Sequence, residues 1–196
     1  MSATLRRREV VRALLEARNG LLVIAGLGST AWDCTAAGDS PLTFPMWGAM
    51  GSAAMVGLGL ALAQPERRVL VVTGDGEMLM GLGALATIGV QRPENLAIAV
   101  LDNERYGETG MQATHTAHGC DLAKVALACG FRLARTVRNH EELTEARRAL
   151  LRDPGPVLMQ IKVVVETLPL VLPPREGTLL KARFRRALLG ERAAGE

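Results

Sequence analysis

The sequence predicts an α/β fold of one domain, a doubly wound and mostly parallel sheet with helices on both faces. Three observations predict it. The chain of 196 residues is long enough for one full core and short for two domains. Its predicted strands are continuously apolar, as strands buried on both faces are. These strands alternate along the chain with helical patterns, which is the order typical of a parallel α/β sheet.

Each element follows from the spacing of apolar residues and from the residues that interrupt it. Helices are predicted where apolar residues recur every three or four positions, and strands where short apolar runs end at glycine or a polar residue. Asn139, with Glu142 three residues later, predicts a capped helix start. In chain order the predictions are helix 5–17, strand 21–25, an irregular segment 31–48, helix 49–63, strand 69–73, helix 78–90, strand 96–101, a polar loop 102–119, helix 122–129, strand 131–137, a helix from 140 to the stop at 154–156, and strand 157–165.

Charge and composition exclude several classes of function. The net charge of +3 comes from segment 175–196, with six basic and three acidic residues, so no basic face for nucleic acid is predicted. No apolar run reaches the roughly 18 residues of a membrane span, and the N-terminus lacks the apolar core of a signal peptide. Three cysteines without metal-ligand spacing predict free thiols in a cytoplasmic protein.

The C-terminal segment 171–196 is predicted to be a basic tail that follows a domain of residues 1–170. A Pro-Pro pair interrupts the chain at 173–174, and apolar residues at 180, 184, 187 and 188 share one face of a short predicted helix. A basic amphipathic helix can bind a membrane or nucleic acid. More often such a helix packs on its own fold or on a neighbouring subunit, and that packing is expected here.

A glycine-rich turn follows the first predicted strand. The run Gly26-Leu-Gly28-Ser-Thr-Ala31 matches the GxGxxA pattern of dinucleotide-binding proteins. That function requires a long helix after the turn and then a strand ending in an acidic residue. Asp39-Ser-Pro41 interrupts the helix, which disfavours NAD binding. A turn whose backbone N–H groups bind the phosphate of another cofactor stays open.

Two further motifs predict a metal bound beside a phosphate. Gly74-Asp75-Gly76-Glu77 joins a strand to a helix, and Asn103 ends the next strand, with 27 residues between Asp75 and Asn103. Both motifs therefore reach the same edge of the sheet. Asp75 would repel a phosphate at the helix N-terminus unless a cation lay between them. Carboxylate, amide and loop carbonyl oxygens are the ligands that Mg²⁺ prefers.

This pair of motifs resembles the pyrophosphate-binding domain of thiamine diphosphate (ThDP) enzymes. In that family a GDG motif is followed by a helix, a strand and an Asn-Asn or Asp-Asn loop, and the resemblance covers roughly residues 5–165. It implies that Mg²⁺ is bound by Asp75, by the side chain of Asn103 and by the backbone carbonyl of Arg105. Many members have asparagine where this sequence has Asp102, which is not itself an implied ligand.

The resemblance also implies a set of cofactor-binding residues. They are Ser29, Thr30, Gly48, Met50, Gly74, Gly76 and Glu77. The hydroxyls of Ser29 and Thr30, with backbone N–H groups of Gly76 and Glu77, would bind the diphosphate. The carbonyl of Gly48 would accept a hydrogen bond from the 4′-amino group. Met50 would bend the cofactor, although a methionine taken by itself is better explained by core packing.

The resemblance implies a two-chain ThDP- and Mg²⁺-dependent decarboxylase that converts a 2-oxo acid to an aldehyde and CO₂. Residues 106–114 and the short length are most similar to sulfopyruvate and phosphonopyruvate decarboxylases. The glutamate that activates the cofactor belongs to a separate pyrimidine-binding domain, so a partner subunit is expected, in a hetero-oligomer with at least two copies of each chain. Loop residues His115 and Glu108 are the candidate catalytic residues, for the acidic group of the substrate or for proton transfer. The alternatives are an acetolactate synthase-like carboligase and a non-catalytic protein that binds a nucleotide or ThDP.

Overall fold

A computed structural model describes residues 4–16 and 18–194. The strands are β1 Leu22–Ala25, β2 Thr43–Pro45, β3 Val69–Gly74, β4 Leu96–Asp102, β5 Arg105–Tyr106, β6 Gln112–Ala113, β7 Leu133–Val137 and β8 Val157–Lys162. The α-helices are α1 Arg7–Leu15, α2 Ser29–Ala36, α3 Ala53–Ala63, α4 Asp75–Met80, α5 Ala84–Gln91, α6 Leu122–Ala128, α7 His140–Arg152 and α8 Gly177–Leu189. Six strands form one parallel sheet in the order β2-β1-β3-β4-β8-β7, and β5 and β6 form a separate antiparallel hairpin.

Helices cover both faces of the parallel sheet, as the continuously apolar strands predict. Buried residues of α1, α2 and α7 pack on one face, and those of α3, α5 and α6 pack on the other. Neighbouring residues of β3 point to opposite cores: Val72 belongs to the first and Val71 to the second. The predicted doubly wound α/β fold is therefore confirmed.

The prediction of an irregular segment at 31–48 is wrong, because this segment contains most of α2 and all of β2. Helix α2 begins directly after Gly28, whose φ of 68° lets the chain turn sharply, and it ends before Gly38. Strand β2 has only three residues and lies at the edge of the sheet, where a proline is tolerated. Elements this short give too few apolar positions for a periodicity to be visible.

The predicted single helix at 78–90 is two helices, α4 and α5. The interruption at Gly81 has a packing cause, because a Cβ atom there would lie 2.0 Å from the carbonyl oxygen of Gly51. Two segments of backbone therefore meet where no side chain could fit. The polar loop predicted at 102–119 likewise contains structure, namely the β5–β6 hairpin and a 3₁₀ turn at His115–His118.

The predicted capping pattern at the start of α7 is confirmed. The backbone N–H of Glu142 donates to Asn139 Oδ1 at 2.9 Å, and Glu142 Oε2 accepts from the backbone N–H of Arg138 at 2.6 Å. Each side chain thus accepts a hydrogen bond from a backbone N–H group at the start of the helix, where such groups have no partner within the helix.

The C-terminal helix α8 packs on its own fold, against the edge strand β2. The ring of Phe184 meets that of Phe44 edge to face, with centroids 5.6 Å apart. Arg183 donates to both carboxylate oxygens of Asp39, at 2.6 and 3.0 Å. The expectation that the amphipathic tail helix packs on protein is met by contacts within the chain.

The described residues also include three free cysteines, of which Cys34 is buried and the other two are half-buried. Within 4–16 and 18–194, no cluster of three or more His, Cys, Asp or Glu side chains is arranged to hold a metal ion. In those same ranges, no helix has both the length and the apolar character needed to cross a membrane.

Candidate active site

A cavity of about 380 Å³ opens at the carboxyl ends of β1, β3 and β4. Ligands of parallel α/β folds bind at this edge of the sheet. Most of the candidate residues line it: Ser29, Thr30, Met50, Gly74, Asp75, Gly76, Glu77, Asn103, Arg105 and Glu108. Gly48 and His115 do not line it. The structure thus brings the two motifs that contain Asp75 and Asn103 together with the glycine-rich turn in one cavity.

Asp75 is the first residue of α4 and is 2% exposed. Its Oδ2 accepts hydrogen bonds from the hydroxyls of Thr114, at 2.6 Å, and Thr116, at 3.3 Å. Burial raises the pKa of Asp75 to about 6, against the opposing effect of the Thr114 hydrogen bond. The two threonines therefore fix the orientation of a carboxylate in a site where charge is costly.

Asn103 lies in a tight loop directly after β4. Its Oδ1 accepts from the backbone N–H of Arg105 at 3.0 Å, and Asp102 Oδ1 accepts from the backbone N–H of Glu104, also at 3.0 Å. These consecutive turns hold the Asn103 side chain and the Arg105 backbone in place. An amide oxygen with one hydrogen bond keeps a lone pair for a cation. With Asp75, they form a set of hard oxygen donors of the kind that Mg²⁺ prefers.

Asp102 is completely buried and fully hydrogen-bonded. Besides the loop N–H, it accepts from Thr116 Oγ1 at 2.8 Å and from Gln160 Nε2 at 2.6 Å. Lys162 Nζ lies 2.8 Å from Asp102 Oδ2 and 2.7 Å from Glu104 Oε1. Burial alone would lower the pKa of Lys162, but these two acidic partners outweigh it and raise the pKa. Lys162 on β8, a residue that the sequence analysis missed, therefore compensates the negative charge of Asp102.

The glycine-rich turn leads into the first turn of α2. Thr30 Oγ1 donates to the carbonyl of Gly26 at 2.6 Å, so its only proton is used within the turn. Ser29 is the neighbouring hydroxyl, and it bonds no other residue in the described part of the chain. The carboxylate of Glu108 lies on Gly28, where a Cβ atom would come within 2.3 Å of Oε1.

Glu77 has a structural side chain in addition to the backbone N–H group expected to bind a phosphate. Its Oε2 accepts from Thr73 Oγ1 at 2.8 Å, and a Cβ atom on Gly26 would lie only 1.9 Å from that same oxygen. Burial raises the pKa of Glu77, while the hydrogen bond from Thr73 opposes the shift. The side chain therefore joins α4 to the glycine-rich turn.

The opposite side of the cavity is apolar and open. Met50, Met80 and Met111 line it and are 38%, 57% and 40% exposed. Gly48 is exposed nearby, with open space around its Cα. His115 is exposed on the 3₁₀ turn, and its Nδ1 lies 3.4 Å from the hydroxyl of Tyr106, which does line the cavity. His115 is therefore one side chain removed from the cavity.

The cavity wall carries more acidic than basic side chains. Among the described lining residues four are acidic, namely Asp75, Glu77, Glu108 and Glu166, and two are basic, namely Arg7 and Arg105. Four negative and two positive groups leave a formal charge of −2. A phosphate group could bind beside these carboxylates only with an accompanying cation. The donor set at Asp75 and Asn103 is suited to hold that cation.

Comparison with known proteins identifies the family. Residues 28–161 match the model of the thiamine pyrophosphate enzyme family, C-terminal TPP binding domain. The chain belongs to that family. Thiamine pyrophosphate is another name for ThDP, so the family suggested by the metal motif is confirmed. The match includes β2, β3 and β4, the loops that contain Asp75 and Asn103, and the glycine-rich turn from Gly28 onward.

Two similar curated proteins are decarboxylases. The chain is 42% identical over 159 residues to the sulfopyruvate decarboxylase subunit beta of Methanothermobacter thermautotrophicus, covering 81% of this chain and 82% of that one. It is 41% identical over 152 residues to phosphonopyruvate decarboxylase of Streptomyces viridochromogenes, covering 78% of this chain but only 38% of that one. The chain thus spans most of the length of the first relative and well under half of the length of the second.

A solved structure of low sequence identity has the same fold. Benzoylformate decarboxylase from Polynucleobacter necessarius is 19% identical, with a TM-score of 0.69, over 85% of this chain and 33% of that one. This structural similarity confirms the α/β fold. At 19% identity it supports no conclusion about function.

Proposed function

We propose that this chain is the diphosphate- and Mg²⁺-binding subunit of a two-chain, ThDP-dependent 2-oxo acid decarboxylase. The substrate is a 2-oxo acid with a second acidic group, as in sulfopyruvate and phosphonopyruvate, and the products are an aldehyde and CO₂. The names of the two curated relatives support this activity. The three free thiols favour a cytoplasmic location, where they stay reduced.

The observation that carries the proposal is the convergence of three loops on one cavity. Asp75, Asn103 and Arg105 contribute oxygen donors beside a glycine-rich turn that ends in Ser29. ThDP, when bound, supplies the electron sink that the loss of CO₂ from a 2-oxo acid requires. The protein contributes binding and position: Asp75 and Asn103 hold the metal, while the N–H groups of Gly76 and Glu77 bind the diphosphate.

Other residues complete the binding of the cofactor and the substrate in this proposal. Ser29 donates its hydroxyl to the diphosphate, Met50 forms the apolar wall against which the cofactor bends, and the Gly48 carbonyl accepts from its amino group. Glu108, on the cavity wall, and His115, next to Tyr106, bind the acidic group of the substrate or transfer a proton.

The proposal includes a partner subunit. The chain spans 82% of a relative named as a beta subunit, and only 38% of phosphonopyruvate decarboxylase. A separate chain with a pyrimidine-binding domain would correspond to much of the remainder and would supply the glutamate that activates the cofactor. The complex would then be a hetero-oligomer with at least two copies of each chain.

The test is co-expression with the product of the neighbouring gene. We expect a second chain to copurify, and the complex to release CO₂ from sulfopyruvate or phosphonopyruvate only when ThDP and Mg²⁺ are present. Asp75→Asn should abolish Mg²⁺-dependent ThDP binding, measured by calorimetry. Asp39→Asn is the matched control, because Asp39 lies on the surface against Arg183, outside the cavity.

Three outcomes would contradict parts of the proposal. Full activity of the purified chain alone would refute the need for a partner. A carbon–carbon coupled acid in place of an aldehyde would favour the carboligase alternative. Absence of Mg²⁺-dependent ThDP binding, even with the second chain present, would favour a non-catalytic binding protein.

A further inference from the structure

A buried cation lies on the wall of the cavity at the start of α1. Arg7 is 8% exposed and lines the cavity, although no motif pointed to it. Its Nε donates to Oδ2 of Asp33, a fully buried residue of α2, and the Nε of Arg8 donates to the other oxygen of that carboxylate at 2.9 Å. The two terminal NH₂ groups of Arg7 have no hydrogen-bond partner among the described residues and remain available as donors.

The charges around Arg7 do not cancel. One carboxylate, Asp33, lies between two guanidinium groups, which leaves one positive charge in excess. The adjacent Glu166 does not neutralise it, because its Oε2 lies 2.7 Å from a guanidinium nitrogen of Arg6 and its Oε1 accepts the backbone N–H of Arg7. A buried guanidinium that shares its carboxylate partner with a second arginine is suited to bind an anion from the cavity.

The position of Arg7 relative to α2 indicates which part of the cavity it serves. Asp33 is one helical turn after Ser29, and helical side chains lean towards the N-terminus of their helix. Asp33 therefore brings the Arg7 guanidinium beside the first turn of α2. That turn begins at Gly28, and no side chain caps it, so its first N–H groups are unpaired within the helix. A buried arginine, an uncapped helix start and the Ser29 hydroxyl thus meet at one side of the cavity.

The metal-binding loops contribute to the same cavity, which sets the chemistry of the anion. A group with two phosphates could reach both Asp75, through a divalent cation, and Arg7, because both residues line the one cavity. A diphosphate has this form: one phosphate binds at the cation, and the terminal one binds at the start of α2. Glu108 lies on Gly28 with a flexible side chain, and its carboxylate would repel a phosphate at the start of α2 unless a cationic group such as Arg7 offset its charge.

We infer that Arg7 binds the terminal phosphate of the cofactor's diphosphate, and that it makes this chain selective for a diphosphate over a monophosphate. The inference rests on the proposed function and names a residue for its cofactor site. It is independent of the substrate and of the reaction that follows, because it concerns only the phosphate groups.

The test compares two arginines that share one carboxylate. Arg7→Met and Arg8→Met each remove one bond to Asp33, but only Arg7 lines the cavity. Calorimetry with Mg²⁺ measures the affinities of ThDP and thiamine monophosphate, using the copurified complex or this chain alone. Arg7→Met should weaken ThDP binding by about 10- to 100-fold, which is the loss of affinity expected when charge-assisted hydrogen bonds are removed. It should change the affinity for thiamine monophosphate little.

Two further variants make the test decisive. Arg8→Met should leave the ratio of the two affinities unchanged, and Arg7→Lys should restore part of the preference for ThDP. Circular dichroism melts show the temperature at which all variants are folded, and the affinities are compared there. An equal ratio in Arg7→Met and in the unchanged protein would overturn the inference while leaving the proposed function intact.

Inorganic diphosphate separates the failure of the inference from the failure of the proposed function. If the unchanged protein binds inorganic diphosphate through Arg7 but does not bind ThDP, the anion site stands and the proposed function fails. If it binds ThDP and Arg7→Met is indistinguishable from Arg8→Met, the proposed function stands and the inference fails. If it binds neither ligand, both fail.

Discussion

Replacing Lys162 with methionine would leave the buried carboxylate of Asp102 without its cation. The side chains of Lys162 and Asp102 are 10% and 0% exposed, and Nζ lies 2.8 Å from Oδ2. Removing one partner of such a pair costs about 3–5 kcal/mol in general, because an uncompensated charge stays buried. Asp102 keeps its hydrogen bonds from Gln160, Thr116 and the loop backbone, so we expect a loss at the lower end, about 3 kcal/mol.

The double variant distinguishes charge compensation from simple loss of contacts. In Asp102→Asn/Lys162→Met no buried charge is left unpaired, so the combined loss should be smaller than that of Lys162→Met alone, about 1–2 kcal/mol. Glu104, the other partner of Lys162, has a 43% exposed side chain and contributes about 0–1 kcal/mol at most. The coupling between the two substitutions should therefore exceed about 1 kcal/mol.

Urea denaturation at pH 7.5 gives the free energy of unfolding for each variant in this cycle. Lys124→Met is the matched control, because its ammonium group lies 3.5 Å from Asp121 with an 83% exposed side chain, and we expect a change within about 0.5 kcal/mol. Additive effects of the two substitutions would refute the reasoning, since they would mean that Lys162 does not compensate the charge of Asp102.

Three other predictions concern the fold. Gly57→Ala would place a Cβ atom 2.2 Å from Cγ2 of Val71 and should destabilise the chain by about 1–3 kcal/mol. Gly59→Ala, on the same helix but with open space around it, should stabilise the chain by about 0.5–1 kcal/mol. Equal changes in the melting temperatures of the two variants would contradict this prediction. Burial raises the pKa of Cys34 from 9.0 to about 12, so a thiol reagent at pH 8 should modify the other two cysteines and reach Cys34 only on unfolding. Rapid modification of Cys34 in the native protein would disprove its burial. Because the Cys34 thiol ionises at lower pH in the unfolded chain than in the folded one, its contribution to the free energy of unfolding should decline above pH 9. Asn139→Ala removes the cap of α7 and should lower the free energy of unfolding by about 1 kcal/mol, which a denaturation curve unchanged in midpoint would contradict.

The long elements could be predicted from the sequence because their pattern is local. Strands such as β3 and β4 are apolar throughout, and α7 has both helical spacing and a capping pair. The short elements could not be predicted. Strand β2 has three residues and is held by pairing with β1, and the break after α4 depends on the backbone of Gly51, which is distant in sequence.

The candidate site divides in the same way. Asp75 and Asn103 were predicted because each directly follows a recognisable strand, and the spacing of one helix and one strand brings both to one edge. Lys162 and Thr114 were not predicted, because their roles come from contacts with residues far away in the chain. The same is true of Arg7, whose place in the cavity depends on a carboxylate of another helix.

The sequence by itself therefore determined the class of fold, the family and the loops that form the site, because these depend on periodicity and on glycine and acidic residues at strand ends. Only the tertiary structure decided how the charges in that site are compensated. Lys162 compensates Asp102, and Asp33 binds two arginines, one of which faces the cavity. Charge interactions in a buried site depend on distance and burial, and neither is written in the order of residues.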